Sequence, residues 1–488
     1  MIRYSVYSIV LFFLPLVSFG QTFDLTVVDG YGSGTFLAQD TVHIWSYNTD
    51  ATTTFSGWTG SEGVVFESVD EWHTTITVLP GTESVTVSAS YEPIPNPVIQ
   101  GNKDYQLFGL DGQDVSSVSK ESFYAIPPDP KALVVLLHGT NGEGASFFYS
   151  YERYSLVKDF LVHGYAVCTL DANEVTMGDQ NGDDRLRWFV GNAPFANASN
   201  NVDIKNIRLL LDSLTNDFEV LNDLPVFSVG ISNGAVFSDL CASALGFKAS
   251  AHVLAKGATQ TYERDDLVPV IWIMSENDQN ESADNAGAYQ NYLFMSEFQT
   301  AEFHYLRKSP VHLHRFERSL NGINADKSLE IIQKLNSLGY LDENYFLNVE
   351  DTEDILVELL TGLGLSSVQR LEVKVQLKCL NAEHVFSSDK SHLIIRFFDD
   401  ILDINATTNE KRINNPLVVY PNPVTSYLNI SLDAPGQPYN IMIHSMDGKL
   451  VTSLWNSPSI DVSSLHKGMY LLKLESQGRT YYQKFLKL

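Results

Sequence analysis

Apolar and polar residues alternate in three different ways along this 488-residue chain. Residues 23–91 contain short runs of alternating apolar and polar residues, separated by Gly, Asp and Thr, which is typical of strands joined by tight turns. Residues 103–403 alternate short apolar runs with helix-like segments, and from residue 416 the chain returns to short strands. The pattern predicts an α/β domain between two small all-β domains.

The middle of the chain carries the signals of a mostly parallel sheet with helices on both faces. The run Ala132–Leu137 is apolar at every position, as expected of a strand that is buried on both sides. Further runs of this kind are 165–170, 226–229, 252–254 and 270–274. Residues 202–214 repeat apolar positions at helical spacing. We also predict a strand at 371–377 and an amphipathic helix over 391–404, with His392 on the solvent side of that helix.

The same pattern sets the domain boundaries that we predict. Residues 1–20 contain one basic residue, an apolar run and small residues near the end, which indicates a cleaved secretory signal peptide. The remaining segments are an all-β module (21–92), a Pro-rich linker (93–102), the α/β domain (103–404), a polar linker (405–415) and a β-sandwich (416–488). Within the α/β domain we interpret 279–370 as a helical insertion, either a lid over the site or a peripheral subdomain.

Composition restricts the partners and cofactors. A net charge of −27 argues against nucleic acid or an anionic membrane as a partner. No segment after residue 20 reaches the ~18 consecutive apolar residues of a membrane span. The three cysteines lie in or beside apolar runs, which indicates buried thiols rather than a disulfide framework.

We predict no metal and no organic cofactor. The acidic loop 179–184 has its glycine too early for an EF-hand and lacks the later glutamate, so we interpret it as a solvated turn. His312 and His314 are two residues apart and would not share a helix face, so they are not assigned to a metal.

The strongest chemical signal is Gly230-Ile231-Ser232-Asn233-Gly234, which follows an apolar strand. A serine between two glycines at a sharp strand-to-helix turn exposes its hydroxyl for nucleophilic attack. The next amide, that of Asn233, would then donate to an oxyanion. The loop His138-Gly139-Thr140-Asn141-Gly142 would supply a second amide, from Thr140 or from Asn141, whereas His138 itself is interpreted as structural.

The groups that such a serine needs follow later in the chain. The run 270–274 ends in Ser275-Glu276-Asn277-Asp278, and we assign Asp278 rather than Glu276 to orient a histidine, because it lies deeper in the loop. His384 and His392 are the candidate bases. His384 is preferred because it lies in a loop. The sequence thus predicts a triad of Ser232, Asp278 and His384.

On these residues, the segment 131–403 resembles the α/β-hydrolases, in which the triad has the order Ser, Asp, His. The loop 138–142, the stretch 201–204 and the elbow 230–235 look like extracellular esterases of the polyhydroxybutyrate depolymerase and feruloyl esterase kind. The resemblance implies an α/β-hydrolase fold and a carboxylic ester hydrolase (EC 3.1.1 type). Those esterases often carry disulfides, which the cysteines here do not reproduce.

The two flanking modules also resemble known families. The motifs Gly30-Tyr31-Gly32-Ser33-Gly34 and Phe55-Ser56-Gly57-Trp58 resemble the internalin B-type repeat of bacterial surface proteins. Such a module either binds a glycan or polymer through exposed aromatics, or is a spacer whose aromatics (Phe55, Trp58, Trp72) form its core. The motifs Tyr420-Pro421-Asn422-Pro423 and Lys467-Gly468-Met469-Tyr470 resemble the type A sorting domain of the type IX secretion system of Bacteroidota, which implies export by that machinery.

The sequence therefore predicts a secreted or cell-surface serine esterase acting on a small or polymeric ester. Two alternatives stay open: a serine peptidase on the same fold, and a surface-binding protein whose hydrolase domain is inert. The acyl group, the alcohol and the oligomeric state are not indicated by any motif.

Overall fold

The structure is a computed structural model. It describes residues 21–38, 40–109, 114–190, 201–258, 267–280, 283–406, 417–420, 424–432, 439–445, 450–455, 457–476 and 479–487. The chain separates into two compact units, and the division falls between Asp403 and Ile404. The predicted signal peptide and most of the predicted linker 405–415 lie outside the described residues.

The first unit begins with a sandwich of two four-stranded sheets. Its strands are β1 (Thr22–Val28), β2 (Gly30–Tyr31), β3 (Gly34–Leu37), β4 (Val42–Ser46), β5 (Thr53–Gly60), β6 (Val64–Phe66), β7 (His73–Val78) and β8 (Ser84–Pro93). The orders are β3-β1-β8-β5 and β2-β4-β7-β6. Alternate residues of β1 and β4 are buried, and they pack together in one core, as the period-2 pattern predicts.

An eight-stranded sheet forms the centre of the first unit. Its strands are β9 (Ile99–Gln106), β10 (Ser119–Ile126), β11 (Ala132–Leu137), β12 (Tyr165–Leu170), β13 (Val226–Ile231), β14 (Ser250–Val253), β15 (Val270–Ser275) and β16 (Ala301–Leu306), in the order β16-β15-β14-β13-β11-β12-β10-β9. The six strands β11 to β16 are parallel to one another, while β10 is antiparallel to both β9 and β12. The predicted α/β-hydrolase fold is confirmed.

Helices cover both faces of this sheet. They are α1 (Ser146–Tyr149), α2 (Tyr151–Val162), α3 (Asn173–Met177), α4 (Val202–Asp217), α5 (Asn233–Leu245), α6 (Asn285–Met295), α7 (Ala325–Ser337), α8 (Glu353–Leu360), α9 (Ser367–Leu380) and α10 (Ser391–Ala406). Val134 and Leu136 of β11 pack in a core with α2 and α10. Their neighbours Leu133 and Val135 pack in a second core with α4 and α5. Successive residues of a strand point to opposite faces, so a fully apolar strand marks a sheet covered on both sides.

Three predictions about this unit are wrong. Residues 371–377 are not a strand but part of α9, which begins with a capping box between Ser366 and Gln369. The predicted insertion 279–370 contains β16, which extends the sheet, so the added helical segment begins after Leu306 and includes α7, α8 and α9 around their own core. The end of the predicted linker 93–102 is not a linker, because Ile99 starts β9.

The second unit is a small β-sandwich, as predicted. It contains β17 (Leu417–Tyr420), β18 (Tyr427–Leu432), β19 (Asn440–Ser445), β20 (Leu450–Trp455), β21 (Ser459–Asp461), β22 (Gly468–Ser476) and β23 (Arg479–Lys487). The sheets have the orders β17-β18-β21 and β20-β19-β22-β23 and enclose one apolar core. Within the described ranges, none of the helices of the chain combines the length and apolar character that a membrane crossing requires.

Candidate active site

Ser232 occupies a sharp turn between β13 and α5, with φ 55° and ψ −119°. The turn is possible because of the two flanking glycines. A Cβ at Gly230 would lie 2.1 Å from the carbonyl oxygen of Gly234, and a Cβ at Gly234 would lie 2.4 Å from those of Leu137 and His138. A side chain at either position would collide with backbone, so the motif is dictated by packing, and Ser232 is held at the turn itself.

The structure joins the three predicted site residues by hydrogen bonds. Nε2 of His384 lies 2.9 Å from Oγ of Ser232, and Nδ1 of His384 lies 2.7 Å from Oδ2 of Asp278. The Asp278 side chain is fully buried, whereas 21% of the His384 side chain is exposed. The rejected alternative, Glu276, instead accepts the backbone amide of Lys308 at 2.7 Å.

These contacts assign the proton on the histidine. An ionised carboxylate only accepts hydrogen bonds, so Nδ1 of His384 carries the hydrogen that faces Asp278. Nε2 then presents its lone pair to the hydroxyl of Ser232. In this tautomer His384 is arranged to take a proton from Ser232, which is the arrangement that a serine nucleophile requires.

The histidine loop, residues 381–390, is fixed before His384 by hydrogen bonds of Ala382 and of Glu383. The carbonyl of Ala382 accepts the amide of Asn277, one residue before Asp278, at 3.1 Å. Glu383, which is 6% exposed, accepts the amide and the hydroxyl of Thr352 at 2.8 and 2.9 Å. Sequence reasoning missed Glu383 and Thr352, because they are 31 residues apart and belong to no motif.

The loop that follows β11 approaches the turn at Ser232 closely. A Cβ at Gly139 would be 3.3 Å from Cβ of Ser232. Of the two residues considered as its amide donor, Asn141 already donates its backbone amide to the carbonyl of Leu186 at 2.7 Å. Thr140 is the remaining candidate for this donor. Asn233, the first residue of α5, has its side chain fixed by the amide of Trp188 at 2.8 Å.

His138 supports this loop and is fully buried, as the sequence interpretation requires. Its Nδ1 lies 2.8 Å from the carbonyl oxygen of Gly139, and its Nε2 accepts the amide of Ala172 at 3.0 Å. Burial lowers the pKa of His138 to about 4, so the ring is neutral at pH 7. A neutral ring with both nitrogens bonded is structural.

The predicted position of His392 is wrong. Its side chain is 21% exposed, and Nε2 lies 3.9 Å from Oε1 of Glu71 in the N-terminal sandwich. Burial lowers its pKa to about 3. The helical pattern placed His392 opposite the sheet, which is correct for α10 alone, but the sandwich covers that side of the helix.

The acidic loop 179–184 and the histidines 312 and 314 make contacts within the protein itself. The Asp179 carboxylate accepts the amides of Asn181, Gly182 and Asp184 within its own loop. The rings of His312 and His314 stack on Trp45 and Tyr31 of the N-terminal sandwich, with centroids 4.8 and 3.9 Å apart. Throughout the part of the chain that the structure describes, no three His, Cys, Asp or Glu residues are grouped so as to hold a metal ion.

A family model matches one part of the chain. Residues 418–487 match the model described as "Secretion system C-terminal sorting domain". The second unit is thus a sorting domain of the type IX secretion system, and its presence indicates export to the cell surface or the medium. None of the curated proteins matches the chain.

Several solved structures are similar to the chain. One is a dienelactone hydrolase from Anabaena variabilis, with 15% identity over 49% of this chain and 96% of that protein, and a TM-score of 0.31. A thermostable carboxyl esterase from Bacillus coagulans shows 10% identity over 49% and 98%, with a TM-score of 0.31. An acylaminoacyl peptidase from Pyrococcus horikoshii shows 10% identity over 68% and 57%, with a TM-score of 0.30. Identities this low do not transfer a substrate.

Proposed function

We propose that the protein is an exported serine hydrolase that cleaves carboxylic esters through an acyl-enzyme intermediate. The observation that carries this proposal is the chain of hydrogen bonds from Ser232 through His384 to Asp278, at 2.9 and 2.7 Å. It starts at a serine in a strained backbone conformation at the end of a central parallel strand. Strain of this kind is typical of functional positions.

In the first half of the reaction, Oγ of Ser232 attacks the ester carbonyl carbon while Nε2 of His384 takes the hydroxyl proton. The amides of Asn233 and Thr140 donate to the oxyanion of the tetrahedral intermediate. As the intermediate collapses, the bond to the alcohol oxygen breaks and His384 returns the proton to that oxygen. The products are a free alcohol and Ser232 acylated at Oγ.

In the second half, water replaces the alcohol. Nε2 of His384 takes a proton from the water, whose oxygen attacks the acyl carbon. Collapse of the second tetrahedral intermediate breaks the bond to Oγ of Ser232, which regains its proton from His384. The acid is released, and Asp278 stabilises the imidazolium at both stages without being protonated itself.

The choice of ester rests on the sequence resemblance to extracellular esterases, because the same three residues cleave amides as well. Two claims are tested: that Ser232 is the nucleophile, and that esters are cleaved in preference to amides. The measurement is the turnover of short p-nitrophenyl acyl esters and of matched p-nitroanilides by the purified protein and by Ser232→Ala. We expect ester turnover that falls by a factor of about 10⁴ or more in the variant. Unchanged ester turnover in Ser232→Ala would contradict the mechanism, and faster anilide than ester cleavage would contradict the ester class.

Export is the remaining element of the proposal. The apolar segment within residues 1–20 is expected to direct the chain across the inner membrane, and the sorting domain then engages the type IX machinery. We expect the mature protein to begin near Gln21. N-terminal sequencing of the protein from the medium or the cell surface checks this, and an N-terminus at Met1 would contradict it.

A further inference from the structure

A buried ion pair lies beside the histidine loop, on the side that follows His384. Arg318, in the segment between β16 and α7, donates from Nε and Nη2 to the two carboxylate oxygens of Glu152, each at 3.0 Å. The two side chains are 5% and 3% exposed. Burial alone would raise the pKa of Glu152 and lower that of Arg318. The partner's charge, the hydrogen bonds and the neighbouring charges together outweigh burial, so the pKa of Glu152 is lowered, that of Arg318 is raised, and both groups are ionised. Such a pair is stable only where further hydrogen bonds satisfy it.

Those further bonds reach the histidine loop. Oε2 of Glu152 accepts the backbone amide of Ser388 at 3.0 Å and its hydroxyl at 2.6 Å. Nη2 of Arg318 donates to the same hydroxyl at 2.9 Å. Ser388 is four residues after His384, and the intervening Phe386 is buried in the core beneath the sheet. The ion pair therefore fixes the backbone on the far side of His384.

The N-terminal sandwich completes this network. The guanidinium of Arg318 lies 4.0 Å from the centroid of the Trp72 ring, within cation–π distance. Nε1 of Trp72 donates to Oδ1 of Asp389 at 2.6 Å, and Lys390 forms an ion pair with Glu71 at 2.6 Å. Two consecutive residues of the sandwich thus bond to two consecutive residues of the histidine loop.

The attachment of the sandwich is extensive on the neighbouring helix α2 as well. Nζ of Lys158, which is buried, donates to Oγ1 of Thr49 and to the carbonyls of Asp50 and Thr53 at 2.8, 2.5 and 2.9 Å. An ammonium group has three hydrogens, and all three are used here. Three acceptors of the sandwich therefore surround a buried charge of α2, and these contacts fix the position of the sandwich against the α/β-hydrolase domain. A flexible spacer would not make such contacts.

We propose that Trp72, Arg318 and Glu152 are positioning residues for His384, which makes the N-terminal sandwich part of the catalytic apparatus. This inference rests on the proposed function of Ser232 and His384. The loop is anchored before His384 through Glu383 and after it through Ser388, so the imidazole is held between two fixed points. A displacement of about 1 Å of a reacting group lowers the rate by up to about 100-fold. We expect loss of these positioning residues to lower kcat rather than to change KM, because His384 acts on Ser232 and does not bind the substrate.

The test uses the full chain with three substitutions. Trp72→Ala removes the ring and its hydrogen bond, whereas Trp72→Phe keeps a smaller aromatic ring against Arg318 and removes Nε1 and its hydrogen bond to Asp389. Asn48→Ala is the control, because Nδ2 of Asn48 donates across the same interface to the carbonyl of His314 at 2.9 Å but does not contact the network. The measurements are the rate at which a fluorophosphonate probe labels Ser232, kcat and KM for p-nitrophenyl acetate, and the melting temperature.

We expect Trp72→Ala to lower the labelling rate and kcat by about 10- to 100-fold, with KM changed by no more than about twofold. Trp72→Phe should lower both rates by about 2- to 10-fold, as expected for one lost hydrogen bond. Asn48→Ala should stay within about twofold of the wild type in both rates.

The outcomes separate the two proposals. If the wild type and both Trp72 variants label Ser232 at the same rate, the positioning role is overturned and the proposed function stands. If Asn48→Ala loses as much as Trp72→Phe, the loss reflects docking in general and the positioning role is also overturned. A wild type that does not label overturns the proposed function and this inference with it. Should Trp72→Ala fail to fold, the comparison of Trp72→Phe with Asn48→Ala decides.

Discussion

The two β-sandwiches that flank the α/β-hydrolase domain in the chain are both built from short strands, but they differ in how they relate to that domain. The N-terminal sandwich belongs to the same compact unit as the α/β-hydrolase domain, and it supplies buried partners such as Trp72 to that domain. The C-terminal sandwich forms a compact unit of its own with its own core, and it matches a sorting domain. The two sandwiches thus differ in what their side chains bond to, and strand content alone does not reveal that difference.

Removing each sandwich in turn is the strongest way to test this difference. Deletion of residues 21–98 should abolish ester turnover and lower the melting temperature of the protein sharply, because it leaves the Lys158 ammonium without its three acceptors. Deletion of residues 407–488 retains α10 and should leave kcat within about twofold of the value for the full-length protein. Activity assays and calorimetry on the purified variants check this. Full activity without residues 21–98 would contradict the account.

A smaller change within the first unit is Glu152→Gln, which removes the charge of the carboxylate that binds Arg318 through two hydrogen bonds. The nearby carboxylate of Asp389 lies farther away, with Oδ1 3.9 Å from Nη2 of Arg318. Breaking a buried pair in this way costs about 3–5 kcal/mol of unfolding free energy. The matched control is Glu330→Gln, which breaks an ion pair with Lys327 in which the Glu330 side chain is 48% exposed. That pair should contribute about 0–1 kcal/mol. Denaturant unfolding compares the two variants, and equal losses would contradict a structural role for the Glu152 pair.

The interface of the N-terminal sandwich should also make the first unit sensitive to acid. Burial lowers the pKa values of His73 and His312 well below 6.5, so below about pH 6.5 the unfolded chain binds protons that the folded chain does not. The unfolding free energy therefore falls as the pH falls, by up to about 1.4 kcal/mol per pH unit for each histidine. Asp159, whose pKa burial raises to about 6, acts in the opposite direction.

His73→Phe removes one of these titrating groups, while a phenyl ring keeps the stacking on Trp45, whose centroid is 5.1 Å away. The substitution also removes the hydrogen bond between Nε2 of His73 and Nδ1 of His43, which are 3.0 Å apart. Between pH 7 and pH 5 the unfolding free energy of this variant should change less steeply than that of the wild type. Unfolding curves at several pH values give the slopes. Identical slopes would show that His73 takes up no proton on unfolding and would contradict the prediction.

The smallest expected effect concerns the anchor before His384. Thr352→Val removes the hydroxyl that donates to Glu383 at 2.9 Å, and one hydrogen bond corresponds to about 0.5–1.5 kcal/mol. Thr361→Val is the control, because that hydroxyl bonds within its own helix end, to the carbonyl of Val357. We expect kcat to fall by about 2- to 10-fold in Thr352→Val and to be unchanged in Thr361→Val. A larger loss in the control would contradict a role for the Glu383 anchor.

The elements that could be predicted from the sequence are those whose conformation depends on residues close together in the chain. The run Ala132–Leu137 is apolar at every position, which is typical of a strand buried on both faces. The collision of any Cβ at Gly230 or Gly234 accounts for the recognisable motif at the serine turn. Residues 371–377 misled the prediction because Leu371, Val373 and Leu377 are spaced as in a strand. The buried members of α9 include Val373, Leu377 and Leu380, at helical spacing, and Leu371 is 59% exposed.

The contacts between segments could not be predicted in this way. Trp72 was assigned to the core of the sandwich, and the structure instead places its ring against Arg318, with its Nε1 bonded to Asp389. Arg318 and Asp389 follow Trp72 by 246 and 317 positions. A cation–π contact or an ion pair between such distant residues leaves no periodic pattern in the sequence. The same holds for Glu383 and Thr352. Single residues that are far apart in the chain form no sequence pattern, so their pairing can be recognised only in the folded structure.

The most direct test of the central claim is the site at which a fluorophosphonate probe attaches to the full-length protein, determined by mass spectrometry. We expect one adduct, on Oγ of Ser232, formed at a rate that falls by about 10³-fold or more in His384→Ala. An adduct on another residue, or a labelling rate in His384→Ala equal to that of the wild type, would contradict the claim that His384 activates Ser232.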